Sequence, residues 1–162
     1  MTPYERVKLS RERTAGVFPL PSPLDCIRYA ICELAEYDDA LLRLERIGDK
    51  RNNARQPDPR AELGQAFYML LSAAVQVGYE PNGLDTFRAP DHRLGHYAVA
   101  LRNIGNVLCG VLDSASPEHV AYQMDDAYRA LLWIAAAHGW DVAALVDDAC
   151  AAFEAKHTAV QP

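Results

Sequence analysis

The sequence predicts an all-α fold, a helical bundle of about five helices, and three observations predict it. Apolar residues recur at three-, four- and seven-residue steps over long stretches, the period of a helix with one buried face. Capping residue, proline and glycine punctuate those stretches in helix order, as in Asp58-Pro59 before Gly78 and Ser116-Pro117 before Gly139. No segment requires a β-strand. The 162 residues, half of them apolar and 23% charged, suffice for one domain with its own core. The expected organisation is an N-terminal arm over 1–23 and an all-α domain over 24–158.

The segment is polar and ends in FPLPSPLD, whose three prolines disfavour helix, so it reads as an arm or cover with one short helix near its start. From Asp25 to about Ile47 there is neither Gly nor Pro, and Ile27, Ile31, Leu34 and Leu41 mark one face of a first long helix. GDKRNNARQPDP then breaks the pattern. Asp58 caps a second long helix that runs to Val77 and is apolar nearly all round, which predicts a place in the middle of the bundle. After the loop YEPNGLDTFRAP, a third stretch covers roughly 91–113, a fourth runs from the Ser116 cap to His138, and Asp141 caps a last one through about His157. Val142, Leu145, Val146, Ala149 and Phe153 lie on one side of that last helix.

With 22 acidic against 16 basic side chains, the surface is mildly anionic, which argues against capture of a DNA or RNA polymer or of an anionic membrane. Cys26, Cys32, Cys109 and Cys150 form no CxxC pair and sit in apolar runs, so reduced core thiols in a cytoplasmic protein are expected. The first residues lack the apolar core of a secretory signal, and no later run is long enough to span a bilayer.

ELGQAFYMLLSAAVQVG (62–78) aligns without gaps to QMDDAYRALLWIAAAHG (123–139), matching Gly78 to Gly139 and Gln65 to Asp126. One reading is a degenerate duplication of a two-helix unit. The other is the generic likeness of two buried helices rich in Ala and Leu.

The chemistry gathers on carboxylates. Glu33 and Glu36 stand three residues apart and share a face of the first long helix. At 100° per residue Glu33 falls between Tyr29, Ala40 and Leu44, inside the apolar sector, and Glu62 shares its face with Ala66, Met69 and Ala73. A buried carboxylate needs a cation, a hydrogen-bond donor or a proton. Three glutamates from adjacent helices suit a hard cation such as Mg²⁺, which takes oxygen ligands and bridges to phosphates. Such a site suits hydrolysis of a phosphate ester or phosphoanhydride. The plainer readings are that Glu62 complements the helix dipole in a first turn and that Glu36 faces solvent. Lys50, Arg51 and Arg55, with Asn53, lie in the intervening loop as candidate phosphate ligands.

ICELAEYDDALLRL followed by RAELGQAFYMLLSAAVQVG resembles the all-α nucleotide pyrophosphohydrolases of the MazG-like group, whose pattern is ExxE on one helix and ExxD on the next. HGWDVAALVDDACAAFEAKH is similar to that group's ending. The resemblance implies Mg²⁺, with Mn²⁺ able to substitute, and cleavage of a (deoxy)nucleoside triphosphate to the monophosphate and pyrophosphate by a homo-oligomer. It implies catalytic and metal-binding roles for Glu33, Glu36 and Glu62. Gln65 departs from the pattern, standing where the group has aspartate. Asp126 is the leading candidate to complete the metal site, with Asp38 and Asp39 behind it. The enzyme could instead hold fewer metal ions, with Gln65 ordering a water and counted among the substrate-binding residues, or the site could bind nucleotide without cleaving it. Asn103 and Asn106 repeat the glutamate spacing without charge and could shape a base or sugar pocket, or serve only local hydrogen bonds. His92 and His96 share the spacing of paired zinc ligands but have no HExxH and no evident third ligand.

Overall fold

The computed structural model describes residues 1–17, 21–45, 58–83 and 93–158. Among these residues there are six helices and no strand: α1 Pro3–Thr14, α2 Pro23–Glu45, α3 Pro59–Val77, α4 Arg93–Leu112, α5 Pro117–His138 and α6 Val142–Thr158. No single one of them is long and apolar enough to cross a membrane.

Local chemistry sets the ends. Asp58 accepts from the Arg60 amide at 2.9 Å and Ser116 from the His119 amide, each ahead of a proline in the first turn. Gly78 and Gly139 take φ of 70° and 67°, where a side chain would be strained. Each closes its helix with the same paired bonds, Tyr79 N to Ala74 O with Gly78 N to Val75 O, and Trp140 N to Ala135 O with Gly139 N to Ala136 O. The aligned segments thus share their C-terminal geometry.

The expected all-α bundle is present, and α3 is its centre, touching α1, α2, α5 and α6. Leu63, Phe67, Leu70 and Leu71 of α3 are buried, each contributing ~1.5–3 kcal/mol by leaving water. α2 packs chiefly on α3 and α4 chiefly on α5. The Tyr37 hydroxyl meets His138 Nε2 at 2.8 Å and ties α2 to the end of α5. α6 then turns away from α5 by 106° and lies against α3 and α1. At Gly64 an added Cβ would stand 2.8 Å from the Leu145 carbonyl oxygen, so the missing side chain lets α6 approach α3 closely.

Three expectations change. The 1–23 arm carries α1, a full helix that contributes Val7 to the common core and also buries Ser10, Arg11 and Thr14. Its burial rests on polar groups that find partners, not on an apolar stripe: Thr14 Oγ1 donates to Ser10 O at 3.0 Å, and Arg6 pairs with Glu154 at 2.6 Å and Asp147 at 3.1 Å. Cys26 and Cys150 are buried thiols, but Cys32 and Cys109 are exposed because their helix faces point away from the core. Tyr29 and Leu44 are also exposed, so the apolar sector of α2 is narrower than its sequence implies, and Glu33 lies near its margin, half-buried.

Candidate functional site

The first turn of α3 lies against the middle of α2, and this contact brings the glutamates together. One carboxylate oxygen from each of Glu33, Glu36 and Glu62 lies within 4.8 Å of the others, with Glu36 exposed and its two companions half-buried. No other such cluster of three acidic, histidine or cysteine side chains occurs among the described residues.

The grouping is electrostatically expensive, and Glu33 registers the expense. Its carboxyl is pushed up to about 7, first by burial, then by the charges of Glu36 and Glu62 and by a hydrogen bond with Glu62; Lys156 pulls weakly the other way. That hydrogen bond requires a proton on one of the two carboxyls. Glu62 also accepts from Gln65 Nε2 at 2.9 Å. The amide in the position expected for aspartate therefore acts on the glutamate one helical turn back. A triad of this kind offers oxygen donors to one hard divalent cation, which would relieve the repulsion among the three carboxyls.

Two adjoining clefts run beside the cluster. The larger, about 770 Å³, lies between the start of α3 and α6 and is lined by Asp58, Arg60, Glu62, Gln65, Asp148 and Lys156 among others. The smaller, about 420 Å³, is lined by Arg11, Tyr29, Glu33, Gln65, Phe153 and Lys156 among others. Gln65, Ala149, Ala152 and Lys156 border both clefts, so Glu33 and Glu62 open onto either side of one wall. Arg60 Nη1 bonds Asp148 Oδ2 at 2.8 Å and fixes α6 across the larger cleft.

Asp126 is not part of the cluster: it stands on α5 and accepts from Arg129 Nη1 at 2.8 Å. Aligning two helices equates positions in sequence, whereas the first turn of α3 meets α2 and α6 at the clefts. Asp39 pairs with Arg43 at 2.7 Å, and Asp38 raises the Tyr97 hydroxyl through its charge, behind burial as the main cause, so it faces α4. Asn103 donates from Nδ2 to Asp126 O at 3.1 Å and accepts from Arg102, the local hydrogen-bonding role, while Asn106 is exposed on α4. Neither lines the two clefts. Lys50, Arg51, Arg55 and His92 lie outside the described residues, and His96 joins no metal-ligand cluster among those described.

Arg11 and Lys156 went unread in the sequence. Lys156 could have been found from its place in the last turn of a helix whose apolar face was already assigned. Arg11 had no such signal, being one arginine in a polar segment. No protein-family model, curated protein or solved structure matches this chain.

Proposed function

We propose that this protein is a Mg²⁺-dependent hydrolase that splits a (deoxy)nucleoside triphosphate into the monophosphate and pyrophosphate, as the resemblance to the MazG-like group implies. The observation that carries the reading is the convergence of Glu33, Glu36 and Glu62 from two helices, within 4.8 Å, at the edge of a cleft. These three residues would hold the metal, and a bound Mg²⁺ supplies charge neutralisation on phosphate oxygens and a more acidic water. Gln65 holds the Glu62 carboxylate in place through its 2.9 Å bond. Glu33 retains a proton near neutrality in the metal-free protein, so metal loading releases that proton and weakens as the pH falls below about 7. Lys156 and the loop cations Lys50, Arg51 and Arg55 are the candidate phosphate ligands. The reading includes a homo-oligomer in the cytoplasm.

The test is release of pyrophosphate from a panel of common and modified nucleotides with Mg²⁺ or Mn²⁺. Turnover should require the metal and disappear in Glu33→Gln and Glu62→Gln. No turnover across the panel with either metal would sink the reading.

One observation favours a second reading, a nucleotide-binding module without catalysis: a neutral amide occupies the fourth position and engages one oxygen of Glu62. In that case a nucleotide raises the melting temperature and is recovered intact.

A further inference from the structure

Arg11 is 2% exposed, which makes it the most deeply buried charged side chain among the described residues. A guanidinium carries five N–H donors and keeps its charge, so its burial calls for carboxylates or several acceptors. Arg11 has few. Nε donates to Ser72 Oγ at 2.8 Å, and Nη2 reaches only the soft sulfur of Met69 at 3.7 Å. The guanidinium carbon lies 4.7 Å from the Tyr68 ring centre and 4.8 Å from that of Phe153. Nη1 is buried with no hydrogen-bond partner, and no carboxylate pairs with Arg11 among the described residues. Ser72 is itself committed as a donor to Tyr68 O at 2.6 Å, so its oxygen is oriented to accept from Arg11.

Among the described residues, this is a buried cation with no carboxylate partner. Two aromatic faces and a serine hold the guanidinium against α3 and α6. Arg11 also lines the 420 Å³ cleft that Glu33, Gln65 and Lys156 border. The rings beneath the guanidinium are already covered by it, so they position Arg11 and are not open for a base to stack upon. Arg11 and Lys156 give the cleft two cationic side chains, set among apolar ones and the Glu33 carboxyl.

We propose that Arg11 is the anion anchor of this cleft, binding the terminal phosphates of the ligand whose reacting phosphate lies at the carboxylate cluster. The identity of that ligand rests on the hydrolase reading above; the anchoring role of Arg11 does not. The fork of a guanidinium fits two phosphate oxygens at once, and Nη1 is the donor left to complete that fork.

The probe is inorganic pyrophosphate, titrated calorimetrically into the full chain in excess chelator so that no metal contributes. Wild type should bind it, Arg11→Met should bind at least about tenfold more weakly with unchanged circular dichroism, and Arg11→Lys should fall between them. Removing an uncompensated buried charge in favour of methionine should leave the melting temperature equal or higher. A structural role predicts the opposite pair of results, a lower melting temperature and unchanged affinity, and that pair overturns the proposal. So does failure of the wild type to bind. A crystal of wild type soaked with pyrophosphate needs no variant: density against Arg11 Nη1 supports the anchor, and density only elsewhere refutes it. Pyrophosphate binding through Arg11 without turnover of any nucleotide would leave the anchor standing and remove the hydrolase. Metal-dependent turnover without an effect of Arg11→Met on pyrophosphate binding would do the reverse.

Discussion

Replacing Glu33 by glutamine should stabilise the metal-free protein while abolishing its proposed activity. The magnitude follows from the site. Glu33 rises from an ordinary 4.5 to about 7 because it is buried beside Glu36 and Glu62. A group with a raised folded-state value contributes fully below its unfolded value and loses that contribution as the pH climbs through the folded one. The loss therefore runs from about pH 4.5 to pH 7, at up to ~1.4 kcal/mol per pH unit, and solvent screening of this half-buried group brings the total from ~3.5 down to at most ~3 kcal/mol. Glutamine keeps the shape and a hydrogen-bonding group but never ionises. Wild type and Glu33→Gln should accordingly be equally stable near pH 4, and the variant should be more stable at pH 8 by up to ~3 kcal/mol, or ~6–12 °C in melting temperature for a chain of this size. Urea titrations at several pH values in excess chelator measure this directly. Adding Mg²⁺ should then stabilise wild type and leave the variant little changed. A variant no more stable than wild type at pH 8, or one that keeps the wild-type pH dependence, would refute the reasoning.

Two further predictions address the wall of the site. Gln65→Asp supplies the missing fourth carboxylate, so Mg²⁺ affinity measured by calorimetry should tighten about tenfold and metal-free stability should fall; unchanged or weaker affinity would remove Gln65 as the reason for any deficit. Gly64→Ala places a Cβ 2.8 Å from the Leu145 carbonyl oxygen and should cost ~1–3 kcal/mol in urea unfolding by forcing α6 off α3; a cost below ~0.5 kcal/mol would show that the two helices part easily.

Much of the fold was legible because its punctuation is chemical. Asp58-Pro59, Ser116-Pro117, Gly78 and Gly139 mark ends that backbone hydrogen bonding requires, and all four lie where the structure starts or stops a helix. The meeting of Glu33, Glu36 and Glu62 was legible because Glu33 and Glu36 share a face of α2 and Glu62 stands in the first turn of the helix that packs on it. α1 was less so: periodicity detects apolar stripes, and α1 buries Ser10, Arg11 and Thr14 beside a single valine. Arg11 is decided by Tyr68, Ser72 and Phe153, which come from two other helices. Asp126 failed for the converse reason: register within a repeat says which residues correspond, whereas coordination depends on which ones touch.

The pairing of Arg6 with Asp147 and Glu154 joins positions 141 and 148 residues apart along the chain. Contacts of such range close late, because the entropy of a long loop must be overcome before the contact rewards it. Since α1 brings Arg11 and α6 brings Lys156 and Phe153, the cleft has walls from both extremes of the folded chain. During synthesis α2 and α3 emerge before α6, so the three glutamates are on the chain before the wall that α6 supplies. A chain stalled before α6 would carry the carboxylates without the clefts that α6 helps to wall.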